Sequence, residues 1–589
     1  MERPAAPIPA VQKVERARVS RGAPLLRHPR VAEGSWAGTK RRTRIIQEAF
    51  AVCLLAILTI GQLITLLSDL SGRVPSDLID PLYNVWSVAL SVHQVGALGH
   101  DPAALLGSNT FYPTPHAAIY GDVFIGLLPL SLPLHVIGVD PVALTNILVV
   151  LSFFLSGYGA FLLGRQLTGL YLAGLCAAIV FIEAPVRWDH AGHLSVQSSE
   201  WLIFGVWALT IAWSRDSLRW WSVAGFLGGL AAVTNLYILA YLSLPALVTA
   251  IVGMRHWTAR RLRGAILATV IGLGLVIPLV VVYLGRQAQL GATYGSTAST
   301  DVISLLTVFR ERLVDQLLVP TMSHVPLSAI DALFPGCTVL TLTALGVRYR
   351  RRSPDHQGGM PLPWIVFGAC CLIVMLGHHL VIAGHAFSLI LPWGLVIALV
   401  HPLDAFRSPS QAAIGVSLSC SALCAYGVMT LEQAWRHRCK RRYVWWPVTL
   451  VVALLVVESW QQLPAVPVAP AAKGDAWLGR HYPNQPALAL PLGTTTPRDW
   501  LEQTRIMYDS TASWTPLVNG QASVVPDTLH APLVIFATYP SLPAQRMLRQ
   551  LGVHLVVVYW PWMSLPRRRL FAQMCCRVYE DSLQWIYRI

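Results

Sequence analysis

The chain has 589 residues, of which 54% are hydrophobic and only 12% charged, with a mean hydropathy of +0.53. Such a chain meets lipid over most of its length, which excludes an ordinary soluble globule and describes a polytopic membrane protein. Its net charge of +15 does not point to nucleic acid, because the basic residues fall largely in short clusters between apolar runs, as orientation signals do. Six of the ten cysteines (Cys53, Cys176, Cys370, Cys371, Cys420 and Cys424) lie inside apolar runs, where they read as small apolar residues, and no CxxC metal site or disulfide framework is present. Cys575 and Cys576 are adjacent, and their pairing is open.

Residues 1–45 carry Arg16, Arg18, Arg21, Arg27 and Arg30, then Lys40 to Arg44, without a sustained apolar period. They read as a disordered basic cytoplasmic tail. The first membrane-length run, Ala49 to Leu67, follows too late for a cleavable signal and reads as a signal anchor with the N-terminus inside. Further apolar runs lie at 121–138, 141–163, 169–184, 197–214, 221–235, 236–252, 264–285, 329–347, 363–381, 386–401, 411–431 and 443–459. If all of them crossed, the basic clusters at Arg165, Arg215 and Arg255 would lie outside. The run at 121–138 is broken by Pro129 and Pro133, and that at 386–401 is short, with Pro392 inside it. Read as helices in or re-entering from the outer leaflet, these two leave about eleven crossings, with every basic cluster cytoplasmic and the C-terminal segment outside.

That topology gathers the polar chemistry on the outer face. The first outer loop, 69–140, carries Asp77, Asp80, Tyr83, Trp86 and Asp122; the turn at 185–196 carries Arg187, Asp189, His190 and His193; a late stretch carries Arg407. Acidic residues at the mouth of an apolar bundle are expensive and point to function. Asp80 precedes Pro81, so it either presents a carboxylate at the start of a surface helix or, like Asp77, merely caps that helix. Tyr83 and Trp86 are expected on the membrane boundary. The imidazoles and carboxylates of Asp189, His190 and His193 could hold a divalent cation, bind a sugar or phosphate, or simply be solvated. Arg407, and with less support Arg187, have the guanidinium geometry for phosphate, while an interfacial headgroup contact is the other reading of Arg407. His378, His379 and His385 read as interfacial.

One crossing, a long acidic outer loop, many further crossings and an extracytoplasmic C-terminal segment together resemble the GT-C glycosyltransferases, which use polyprenyl-phosphate sugars. More narrowly, Asp80-Pro-Leu-Tyr-Asn-Val-Trp86, Phe111-Tyr-Pro113, Leu163-Gly-Arg-Gln-Leu-Thr168, His193-Leu-Ser-Val-Gln197, Phe406-Arg-Ser-Pro409, Ser513-Trp-Thr-Pro-Leu-Val-Asn-Gly520 and Gly552-Val-His-Leu-Val-Val-Val558 are similar to a largely uncharacterised group of bacterial GT-C-like membrane proteins. The resemblance covers nearly all of the chain after residue 45. It departs from the group's pattern at Gln411, where a second arginine is usual, and at Asp122, where many members carry glutamate.

The resemblance implies an all-α membrane bundle spanning 46–460, followed by a small extracytoplasmic α/β domain at 461–589. Short apolar runs such as Ala487 to Leu492, Leu533 to Phe536 and Val553 to Tyr559 independently support strands and short helices there. It implies a sugar transferase of the cell membrane with Asp80 as general base. Asp77, Tyr83, Trp86, Asp122, Arg187, His190, His193 and Arg407 would be substrate-binding. The partners implied are a polyprenyl-phosphate sugar donor, a lipid or envelope-glycan acceptor and membrane lipids. The cofactor stays open, with a divalent cation as the candidate. A translocase of lipid-linked sugars and a catalytically degenerate scaffold are the competing readings; the absence of internal repeats and of mid-span charges counts against a transporter.

Overall fold

The structure is a computed structural model that describes residues 33–101, 103–285, 299–308, 331–349, 361–438, 445–493, 496–574 and 576–589. The expected tail up to residue 32, most of the loop at 286–328, and Cys575 lie outside the described residues. Each of the eleven runs expected to cross contains a helix. Among the described residues, five helices are long and apolar enough to span a bilayer, and shorter apolar helices at Leu236–Val252, Cys337–Val347, Leu362–Met375 and Thr449–Ser459 accompany them. The chain is therefore an integral multi-pass membrane protein. Contacts divide it into Met1–Phe50, whose described part is helical, and Ala51–Ile589.

Lipid offers no hydrophobic drive for helices to associate, so close backbone approach has to come from small side chains. Helices Leu218–Thr234 and Ala259–Gly285 meet through Gly225 and Gly229; a Cβ on Gly225 would lie 2.3 Å from the Ala268 carbonyl oxygen. Gly346 and Gly427 do the same between Cys337–Val347 and Ala413–Arg438. Along Ala259–Gly285, Leu262, Ile266, Val270, Leu273, Ile277, Val281 and Leu284 are exposed, an apolar surface suited to lipid and costly in water.

Both runs set aside in the sequence are too short to cross. Leu128–Val136 is a nine-residue helix with Pro133 inside it, roughly 14 Å long against a hydrocarbon core of about 30 Å. The run at 386–401 is not one helix. Its first half belongs to an antiparallel hairpin of β2 (His379–Ile382) and β3 (His385–Ile390), and Pro392–Leu399 is a short helix. Asp301 fixes the hairpin turn by accepting the backbone N–H groups of Ala383 (3.1 Å) and Gly384 (2.6 Å). His379 and His385 sit on these strands.

The loop that follows the first apolar helix is tied to the C-terminal segment. Its strand β1 (Arg73–Pro75) pairs antiparallel with β4 (Ala465–Pro467). The C-terminal segment then forms a four-stranded mixed sheet in the order β5 (Ala487–Leu490), β6 (Leu555–Tyr559), β8 (Gln584–Arg588), β7 (Arg577–Glu580), with only β5 and β6 parallel. Strands β5 and β6 are buried at every residue, as a strand covered on both faces must be, which is why they read as unbroken apolar runs. Leu533–Phe536, the third apolar run, is instead the end of helix Asp527–Phe536. The expected helix before Gly552 is Leu542–Gln550, and Gly552 follows it at φ +72°, a left-handed conformation that suits glycine.

Candidate active site

Asp80 opens the helix Asp80–Gln94, with Pro81 beside it at the helix start; the expected surface helix is instead buried over most of its length, from Pro81 to Val92. Neither expected cap forms on that helix: its N-cap position is Ile79 and makes no side-chain cap bond. Asp77 closes the preceding turn instead, accepting from the Ile79 N–H at 2.7 Å. The Asp80 carboxylate is thereby left for a tertiary partner, and its Oδ2 lies 3.3 Å from Nε2 of His193, both side chains nearly half exposed. Its recess and the nearby carboxylates of Asp77 and Asp122 hold Asp80 above the ordinary carboxylate range, against the pull of His193 and Arg407.

Beside this pair opens a small cleft, partly continuous with solvent, whose wall includes Gly121, Asp122, Asn235, Tyr237, Tyr283 and Arg407. Tyr83, one turn along the helix from Asp80, packs against Gly121, where a Cβ would lie 1.9 Å from its hydroxyl. Asp122 is oriented by the Ser195 hydroxyl, which donates to Oδ2 at 2.9 Å, while its backbone carbonyl accepts from Ser87 at 2.7 Å. Asn235 breaks the apolar stretch between helices Leu218–Thr234 and Leu236–Val252, capping the second by accepting from the Tyr237 N–H at 2.9 Å. Its amide donates to the Ser195 carbonyl and to Gln411 Oε1, each at 3.1 Å. Gln411, where an arginine was expected, thus braces the break. The Tyr237 hydroxyl lies within hydrogen-bonding reach of Arg407.

The residues named from sequence separate into two groups. Asp122 and Arg407 line the cleft, whereas Asp80, Tyr83 and His193 adjoin it without lining it, and Asp77 acts on Asp80 from the turn. Trp86 does not line the cleft: it is 2% exposed, with Nε1–H donating to Asn109 Oδ1 at 3.0 Å, and it packs with Leu90, Ala118 and, from the C-terminal segment, Met507. Arg187 is likewise absent from the cleft wall. It is fully buried, donating to the Gln197 carbonyl (3.1 Å) and Ser152 Oγ (3.3 Å) and lying 4.4 Å from the centre of the Phe153 ring. Asp189 and His190 sit just behind His193, His190 at 5.6 Å between ring centres, and neither lines the cleft. Asn235 and Tyr237 were missed, although a lone asparagine dividing an apolar stretch is a visible signal.

A family model described as "Domain of unknown function (DUF6311)" matches residues 105–457. The chain belongs to the DUF6311 family. No curated protein matches the sequence. Among solved structures, this DUF6311 chain is similar to the arabinofuranosyltransferase AftD from Mycobacteria at 14% identity and a TM-score of 0.50, over 92% of this chain and 40% of that one. Other similar structures are ArnT from Cupriavidus metallidurans (14% identity, 93% and 98% covered, TM-score 0.46) and the Archaeoglobus fulgidus oligosaccharyltransferase (12% identity, 86% and 67% covered, TM-score 0.46). The DUF6311 chain spans only 40% of the AftD chain. Over most of its length it is structurally similar to GT-C membrane glycosyltransferases.

Proposed function

We propose that this DUF6311 protein is a GT-C-type glycosyltransferase that moves a sugar from a polyprenyl-phosphate donor to a lipid or cell-envelope glycan acceptor at the outer face of the cell membrane. The observation that carries the reading is the accessible Asp80–His193 pair beside a cleft that presents Asp122, Tyr237 and Arg407. In the reaction, an acceptor hydroxyl oxygen attacks the anomeric carbon while its proton passes to Asp80. The bond from that carbon to the phosphate oxygen breaks, and polyprenyl phosphate leaves with the electron pair. A carboxylate held above its ordinary range is a stronger base for this step. Arg407 offsets the charge on the departing phosphate, as a guanidinium is shaped to do. Trp86 and Arg187 have no contact with substrate in this scheme; they hold the walls.

The reading also takes the N-terminus as cytoplasmic and residues 461–589 as an outer-face cap over the bundle, in keeping with the basic clusters between spans. The test is transfer from a panel of radiolabelled polyprenyl-phosphate sugars to extracted envelope lipids, wild type against Asp80→Asn. Transfer by the wild type that Asp80→Asn abolishes supports the assignment. Equal transfer by the two removes Asp80 as base, and no transfer from any donor removes the enzyme reading.

A further inference from the structure

Near His193, two adjacent potential ligands meet a third from far along the chain. Asp189, His190 and Asp331 each offer one donor atom, and the three atoms lie within 4.8 Å of one another. Asp189 ends the short helix Pro185–Asp189, and Asp331 begins the segment that leads into helix Cys337–Val347. That segment is pinned in place: Ala332 N–H donates to Asp189 Oδ1 at 3.0 Å, Leu333 N–H to the Ser304 carbonyl at 2.9 Å and Phe334 N–H to the Thr307 carbonyl at 3.1 Å. The His190 Nδ1 is closed off from solvent and has no hydrogen-bond partner among the described residues, its nearest carboxylate oxygen, Asp189 Oδ2, being 3.5 Å away. Among the described residues no lysine or arginine forms a salt bridge with either aspartate.

Two adjoining, partly buried carboxylates with no lysine or arginine partner among the described residues repel each other, and an enclosed imidazole nitrogen without a partner among them is a cost of its own. A divalent cation removes both costs at once. One nitrogen and two carboxylate oxygens match the ligand preferences of Zn2+ or Mn2+ better than those of Ca2+ or Mg2+, which take oxygen alone. Donors about 2.0–2.2 Å from a shared ion lie about 3–4.4 Å from one another, so small side-chain movements would complete the site.

We propose that Asp189, His190 and Asp331 form a divalent-cation site of the Zn2+ or Mn2+ class that fixes the turn carrying His193. The His193 N–H donates to the His190 carbonyl at 2.9 Å, so an ion that anchors His190 sets the backbone from which His193 reaches Asp80. The ion is a positioning element here, held by residues that do not line the cleft. Its binding is independent of the glycosyltransferase reading; only its consequence for Asp80 rests on that reading.

The test uses the full chain in detergent, tag removed, stripped with chelator, reloaded with one equivalent of Zn2+ or Mn2+, dialysed and assayed for metal by mass spectrometry and for Tm. The expected result is one retained ion per chain with a raised Tm. Asp331→Asn and His190→Gln should each weaken binding tenfold or more while keeping the wild-type gel-filtration profile, and Asp80→Asn should bind as wild type does. Retention of neither metal by the wild type overturns the site. So does equal retention by well-folded Asp331→Asn, or loss of the ion in Asp80→Asn, which would place it in the cleft. Transfer activity measured on the same samples separates the two proposals: activity with no retained ion sinks this one alone.

Discussion

Asp80 and the pair Asp475 and Asp509 all sit above the ordinary carboxylate range, and they are built in opposite ways. Asp80 is nearly half exposed, with His193 as a single close partner. Asp475 and Asp509, in the C-terminal segment, are sealed, at 4% and 0% exposure. Asp509 accepts from the Tyr559 hydroxyl at 2.9 Å, from the Ala472 N–H at 3.0 Å and from Arg505, and Asp475 accepts from Gln584 at 2.6 Å. Burial raises both groups. A perturbed carboxylate is therefore no sign of chemistry by itself. Access and unfilled hydrogen-bonding capacity separate a candidate reagent from a structural post.

The sharpest way to break this comparison is a pair of isosteric substitutions. Asp80→Asn should lower transfer by about 10²–10⁴-fold at unchanged Tm, while Asp475→Asn should leave transfer near wild type. The opposite outcome would mean that the sealed cluster is the working one. Arg407→Lys keeps the charge but loses the planar fork, and a fall in kcat of roughly 10²-fold would tie Arg407 to the phosphate; a wild-type rate would return it to a headgroup contact.

Proton titration separates the two groups further. Asp80 acts as base only when ionised, so transfer should rise with pH along a limb above the ordinary carboxylate range. His193→Ala removes a neighbour that draws Asp80 down and should move that limb up, whereas Asp122→Asn removes one that holds it up and should move it down. A limb that ignores both would separate Asp80 from its neighbours. For Asp475 the readout is stability. Burial and Asp509 push it up to about 7, above its unfolded value, so the folded state holds the proton more tightly. That contribution is complete below about pH 4 and lost as pH rises through about 7. Tm should fall across this window, and Asp475→Asn should flatten the fall and raise Tm at pH 8 by roughly 2–4 °C.

Much of this arrangement is legible in the chain because lipid is a strict solvent. Apolar runs, the proline-broken run at 121–138 and Asp80 beside the first run each report a local cost that shows in composition. What the sequence hides is covering by distant segments. Trp86 reads as a boundary aromatic until Met507 and Asn109 enclose it. Arg187 reads as an outer-face cation until Ser152 and Gln197 take its guanidinium. Asp331 has no signal of its own, since its meaning comes from Asp189, far back in the chain. The hairpin at 379–390 escapes because a short apolar run carries no period that separates strand from helix.

Asn109 joins the first loop to the C-terminal segment, its amide donating to Ser510 Oγ at 2.9 Å, with the backbones of Asn109, Tyr112 and Leu517 interlocked beside it. These partners are separated by 401 positions. At about 5–20 residues per second, the loop waits roughly 20–80 s for its partner to be synthesised. Through that interval Trp86 and its neighbours lack their cover, and the cleft, whose wall includes Ser523 and Val524, is finished only as translation nears its end.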